Sequence, residues 1–217
     1  MSLLVGFDMD GVLIDSEALV DGAWILDSFM KTLRDFGIPE TVDNARDLYV
    51  DNMRKNAASF CERFGIGDAD ELWARREENY VQDKLKALKT GRIRLFPDVA
   101  SLEELSEDHA MGIVSNSPQV IVDSVVYHFS LRGIFRTWIG RGSRLSDLNL
   151  AKPAPHLLER LKSDLGLSEG YYVGDLPADV EAAKAAYLIP VRIGRNGEEA
   201  DIRSLDELRR LIRTRGS

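Results

Sequence analysis

Two aspartates separated by one residue, Asp8 and Asp10, follow the apolar run Leu3-Leu4-Val5-Gly6-Phe7. Carboxylates at this spacing are turned to neighbouring positions by the bend. One can then attack as a nucleophile while the other exchanges protons, or both can help to hold a hard cation. Alone, Asp8-Met9-Asp10-Gly11 reads equally well as a polar strand exit. Ser115-Asn116-Ser117-Pro118 reads as a helix start, with Ser117 as N-cap and Pro118 behind it. A helix N-terminus presents free N–H groups to an anion, and the Ser115 hydroxyl and Asn116 backbone would add donors. Lys152 by itself is a loop lysine, but Pro153 and Pro155 fix its backbone and favour an aimed ammonium. Such an ammonium could neutralise a nucleophile and an anion that otherwise repel each other. Asp175 and Asp179 follow Gly174, where Asp179 also suits the start of a helix. Four carboxylates on one rim repel unless a cation sits among them, and Mg2+ is the expected one.

These clusters need elements to bring them together. The opening apolar run reads as a buried parallel strand. Leu19, Ala23, Leu26, Met30 and Leu33 then fall on one helical face, with Ser16 as N-cap and Gly37 as stop. Helices are expected over 45–64 and 69–88, so that 15–95 is all-helical. Beyond Phe96-Pro97-Asp98, helices over 99–107, 118–128, 155–165, 179–186 and 205–212 alternate with strands at 111–114, 137–139, 171–173 and 191–193. That alternation indicates βαβ units and a parallel sheet with helices on both faces. The expected fold class is therefore α/β, a Rossmann-like core of residues 1–14 and 96–217 interrupted by a helical insertion of residues 15–95. In an open parallel sheet, ligands sit beyond the carboxyl ends of the strands, where the polar clusters fall.

Composition narrows the partners. The chain has 217 residues, 44% of them hydrophobic, and a formal net charge of −8. An acidic chain lacks the cationic footprint that nucleic acid requires. No apolar run approaches the roughly 18 residues of a membrane span. The start, Met-Ser-Leu-Leu-Val-Gly, does not read as a secretory signal, and Cys61 has no second cysteine to pair with. A cytoplasmic protein with a small-molecule substrate is expected.

In order and placement, the four clusters resemble the motifs of the haloacid dehalogenase superfamily. Phe7-Asp8-Met9-Asp10-Gly11-Val12-Leu13-Ile14-Asp15-Ser16-Glu17 is similar to the first motif of its phosphoglycolate and sugar-phosphate phosphatase branch. Ser115-Asn116-Ser117 resembles the second motif, Lys152 with its prolines the third, and Gly174-Asp175 with Asp179 the fourth. The insertion resembles the helical cap of one subgroup. The resemblance implies a phosphatase acting on a small phosphorylated metabolite. Asp8 would form an aspartyl-phosphate, and Asp10 would protonate the leaving alkoxide and then activate water. Mg2+ would be held by Asp8, the Asp10 carbonyl, Asp175 and Asp179, the last directly or through water. Ser115, Asn116 and Lys152 would bind the phosphoryl oxygens. Leu176 departs from the Ser or Thr usual after the fourth-motif aspartate.

Within the same superfamily, Asp10 argues against a dehalogenase, which needs no leaving-group acid. A sugar-phosphate mutase shares every core motif, and a phosphonate hydrolase would need an imine-forming cap lysine. Lys31, Lys55, Lys84, Lys86 and Lys89 fall on polar helix faces and are expected to be solvated. Arg54 is a candidate for a carboxylate or second phosphate, because a guanidinium suits both. From another class, a non-catalytic phospho-accepting or binding module is disfavoured by the intact Asp10 and Lys152.

Overall fold

The computed structural model describes residues 2–17, 22–195 and 199–215. Its centre is β1 (Leu4–Phe7), a short strand without a polar side chain, buried on both faces as a parallel strand between helical layers must be. Beside it lie β4 (Ala110–Pro118) and β6 (Gly170–Gly174), with β5 (Thr137–Arg141) and β7 (Ile189–Arg192) outside. The order β5-β4-β1-β6-β7 is parallel throughout. Helices α5 (Leu102–Asp108), α6 (Gln119–His128), α7 (His156–Leu165), α8 (Pro177–Ala185) and α9 (Leu208–Arg215) connect or follow the strands.

Period-2 alternation sorts the strand side chains onto two faces. Leu4, Val114, Ile139 and Tyr172 pack with Leu157, Leu158, Leu161, Ala182 and Ala183 of α7 and α8. Val5, Phe7, Ile113, Tyr171 and Val173 face the other way, onto Leu102, Leu105, Val122, Val125, Leu208 and Ile212 of α5, α6 and α9. This second cluster continues into the insertion through Phe29, Leu33 and Trp73, so one apolar body joins both parts.

The insertion leaves and re-enters the core through a two-stranded antiparallel ribbon, β2 (Ile14–Asp15) with β3 (Arg94–Leu95). Between them lie α1 (Trp24–Asp35), α2 (Val42–Asp47), α3 (Val50–Phe64) and α4 (Ala69–Lys89). Helix α1 begins later than expected. Its N-cap is Ala23, the Glu17 carboxylate accepts from the Trp24 amide, and the Ser16 carbonyl accepts from Trp24 Nε1, so Ser16 caps nothing. Leu19 lies outside the described residues. Gly37 does close the helix, at φ +65°. The single helix expected over 45–64 is two, broken at Leu48–Tyr49. The Leu48 carbonyl faces α4 instead, where Arg76 Nε donates to it at 3.1 Å.

Candidate active site

β1 ends at Phe7, and the chain turns so that Asp8 and Asp10 leave the sheet with different neighbours. Gly11, at φ +78°, makes the turn, and a Cβ there would collide with the Asp175 carboxylate. Only glycine allows that approach without strain.

Asp8 is met by Lys152, whose Nζ lies 2.8 Å from Asp8 Oδ1 and 2.6 Å from Asp179 Oδ1. The same ammonium donates to the Tyr172 hydroxyl at 2.8 Å and to the Val114 carbonyl at 3.2 Å. Lys152 is 2% exposed. Burial disfavours its charge, but Asp179 and Asp8 overcome this and hold it protonated, well above the ordinary lysine range. For Asp8 the balance goes the other way. Burial, aided by Asp179 and Asp175 and opposed by Lys152, pushes its carboxyl well up. Asn116 fixes Lys152 from the neighbouring strand end: its Oδ1 accepts from the Lys152 amide at 2.8 Å, and its Nδ2 donates to the Lys152 carbonyl at 2.9 Å.

Asp175 lies close to Asp8 and Asp179. Burial and the Asp179 charge raise its pKa to about 6. Its Oδ1 is buried and has no hydrogen-bond partner. Among the described residues, Asp8, Asp175 and Asp179 form a group whose oxygens lie within 4.8 Å of one another and could share an ion. Three clustered carboxylates, of which one ammonium pairs two and the third keeps a buried oxygen without a partner, fit a hard divalent cation. Asp179 is the most committed of the three, since its Oδ2 also accepts from the Leu176 amide at 3.0 Å. This contact uses only the backbone of Leu176, so the side chain replacing the usual hydroxyl is left exposed.

Asp10 has other partners. Its Oδ1 accepts from Lys84 Nζ at 2.6 Å and its Oδ2 from Ser117 Oγ at 3.0 Å. Burial raises its pKa, but Lys84, with hydrogen bonds from Lys84, Ser16 and Ser117, wins and lowers it. Two expectations are corrected here. Lys84 is not solvated: it is 1% exposed and also bonded to Tyr80 and Ser117. Ser117 does not cap α6. Pro118 takes the cap position with no side-chain bond, and the Ser117 hydroxyl turns to Asp10. Ser115, 1% exposed, accepts from the Ser117 amide through Oγ at 3.0 Å. Arg54 is paired with Asp51, and among the described residues no hydrogen bond or ion pair joins it to these groups. Lys84 could have been read from sequence, since it lies four residues after Tyr80 and eleven after Trp73 on one helical face.

The chain is similar to known proteins in family and fold. The family model for haloacid dehalogenase-like hydrolases matches residues 5–191. A phosphoglycolate phosphatase of Pseudomonas savastanoi pv. phaseolicola is 29% identical, over 96% of this chain and 78% of its own. The fold superposes on a HAD phosphatase from Thermococcus onnurineus with a TM-score of 0.61, at 24% identity over 98% of both chains. It also superposes on a Thermotoga maritima structure assigned as a β-phosphoglucomutase, with a TM-score of 0.64 at 18% identity over 98% of this chain and 99% of that one. Among the described residues no helix is long and apolar enough to cross a membrane. The family model covers the whole sheet but for the first residue of β1 and the last residue of β7, it includes Asp8, Asp10, Asp175 and Asp179, and the chain belongs to the haloacid dehalogenase-like hydrolases.

Proposed function

We propose that this chain is an Mg2+-dependent phosphatase of small phosphate monoesters, of the kind that a phosphoglycolate or sugar phosphate exemplifies. Residues 1–14 and 96–217 form the catalytic core and residues 15–95 the cap. The observation that carries this reading is the Asp8–Lys152–Asp179 arrangement with the orphaned Asp175 oxygen beside it. Asp8 is aligned by Lys152 to attack phosphorus, and the bond to the leaving oxygen breaks as the aspartyl-phosphate forms. Asp10, held apart by Lys84 and Ser117, gives a proton to the departing alkoxide and later takes one from the attacking water. Ser115, the Asn116 backbone and Lys152 receive the phosphoryl oxygens. Asp8, Asp175, Asp179 and the Asp10 carbonyl would hold Mg2+, which when bound neutralises charge on the transferring group.

A phosphate-release screen over small esters, with Mg2+ or with excess chelator, tests this reading. Turnover should need the metal, and Asp175→Ala should raise the Mg2+ requirement at least tenfold or abolish activity. Full turnover in chelator would overturn the metal assignment. Quantitative conversion to an isomeric phosphate without phosphate release would make the chain a mutase.

Proton and metal should compete for the same carboxylates. Asp175 titrates near 6 in the fold against an ordinary 3.8, so the metal-free fold binds the extra proton between these values. This carboxyl therefore removes stability as pH rises from 3.8 to 6. Added Mg2+ should raise the Tm clearly at pH 7.5, and the increment should shrink as pH falls through about 6. Scanning calorimetry with and without Mg2+ checks this, and a constant increment from pH 7.5 to 5 would contradict it.

A further inference from the structure

The face of α4 turned to the core makes a second polar contact, which the chemistry above does not use. Glu77 of the cap is buried, and both its oxygens accept from Arg141 of the core, at 2.6 and 2.8 Å. Arg141 closes β5 and is 1% exposed. Its Nε donates to the Asn116 carbonyl at 2.7 Å. Asn116 grips the Lys152 backbone in both directions, and Lys152 ends on Asp8. An unbroken series of polar contacts thus runs from the cap to the proposed nucleophile.

Cohesion alone does not explain the second arginine. Arg76, also on the cap, donates to Glu77 Oε1 at 2.7 Å and would balance the carboxylate unaided. Two buried guanidiniums on one carboxylate leave an excess positive charge, shared with the Trp73 ring at 4.9 and 5.1 Å. Buried ions are a poor route to stability unless their geometry does something further. Here the rigid fork of Arg141 joins the cap helix to the end of β4 that carries Asn116, beside the contact of Lys84 with Ser117.

We infer that Arg141 is a positioning residue through which seating of the cap fixes the end of β4 and the Lys152 backbone held by it. With Glu77 in place, the guanidinium is locked and holds Asn116, and with it Lys152, in register with Asp8. With the cap lifted, the fork loses its carboxylate and the strand end its anchor. The consequence for turnover rests on the phosphatase reading, whereas the coupling itself does not.

Arg141→Met tests this, because it leaves Arg76 and Glu77 as a balanced pair and keeps an unbranched side chain. Hydrogen exchange on the full chain should show the Lys152 amide and residues 114–118 exchanging about tenfold faster or more, with α4 protected as in wild type. Glu77→Gln, which keeps the shape and loosens the fork from the cap side, should loosen the same residues, and it serves as the test if Arg141→Met does not fold. Toward the best ester of the screen, kcat should fall about tenfold with KM nearly unchanged. Arg141→Lys, which reaches one partner but not both, should not restore it. Wild-type protection of the Lys152 amide in both variants would overturn the inference, as would loosening spread evenly over the chain. Selective loosening in a protein that releases no phosphate from any ester would refute the phosphatase reading and leave the coupling standing.

Discussion

Asp8→Asn is expected to abolish turnover, by about 10^4-fold or more, and Asp10→Asn to leave a protein that accepts a phosphoryl group and keeps it. The two residues are separated by Met9 alone, yet the structure gives them different partners: Lys152 for Asp8, and Lys84 with Ser117 for Asp10. An amide at position 8 is a poor nucleophile, so neither turnover nor bound phosphate should survive. An amide at position 10 cannot move protons. An activated donor such as acetyl phosphate needs little help with its leaving group, so it should still label the protein, while water should attack the label slowly. Intact mass should then show a species about 80 Da heavier, lost at alkaline pH as an acyl phosphate is, with the label on the peptide containing Asp8. A label on Asp10, Ser115 or a histidine would show that the roles are misassigned. Retained turnover in Asp8→Asn would mean direct attack by water.

Much of this site was legible because its parts are local to strand ends. A parallel strand between helical layers must be apolar, so a polar residue after such a run, as at Asp8, Ser115 or Asp175, marks the sheet's carboxyl edge. Once the strands align, edge residues far apart in sequence meet without further information. That explains why Asp8, Asn116, Lys152, Asp175 and Asp179 lie together.

What stayed hidden crosses between the two parts of the chain. Lys84, Glu77 and Arg141 are charged residues on elements with solvent-facing neighbours, and their burial depends on how the insertion sits on the core. Their signal was spacing: Trp73, Glu77, Tyr80 and Lys84 recur at intervals of four, three and four, the period of one helical face. A charge within an aromatic stripe contradicts a surface assignment, and here it marks side chains that reach into the site. The break between α2 and α3 was unreadable for a similar reason, since the carbonyl released at Leu48 is taken by Arg76 from another helix.

Lys84→Met should separate the two half-reactions from the opposite side. Burial alone would push the Asp10 carboxyl up, and the Lys84 ammonium at 2.6 Å is the main influence holding it down. Without the ammonium, Asp10 should stay protonated to higher pH, so that more of it holds a proton to give and less is free to take one. Formation of the aspartyl-phosphate should therefore be retained at neutral pH. Its hydrolysis should slow about 10- to 100-fold at pH 6 and recover as pH rises, with the acid limb of the dephosphorylation rate moved upward. Lys84→Arg, which keeps the charge, should return the limb toward its original position. Rapid-quench measurement of phosphoenzyme decay from pH 5 to 9 reads this directly, and an unmoved limb in Lys84→Met would reduce Lys84 to a packing role. The same lysine decides the phosphonate hydrolase alternative, which needs a neutral cap amine to form an imine. Burial disfavours the charge on Lys84, but Asp10 and Tyr80 outweigh it and hold the amine protonated. Borohydride added with an aldehyde-bearing phosphonate should accordingly trap nothing. A reduced adduct on Lys84 would transfer the chain to carbon–phosphorus cleavage.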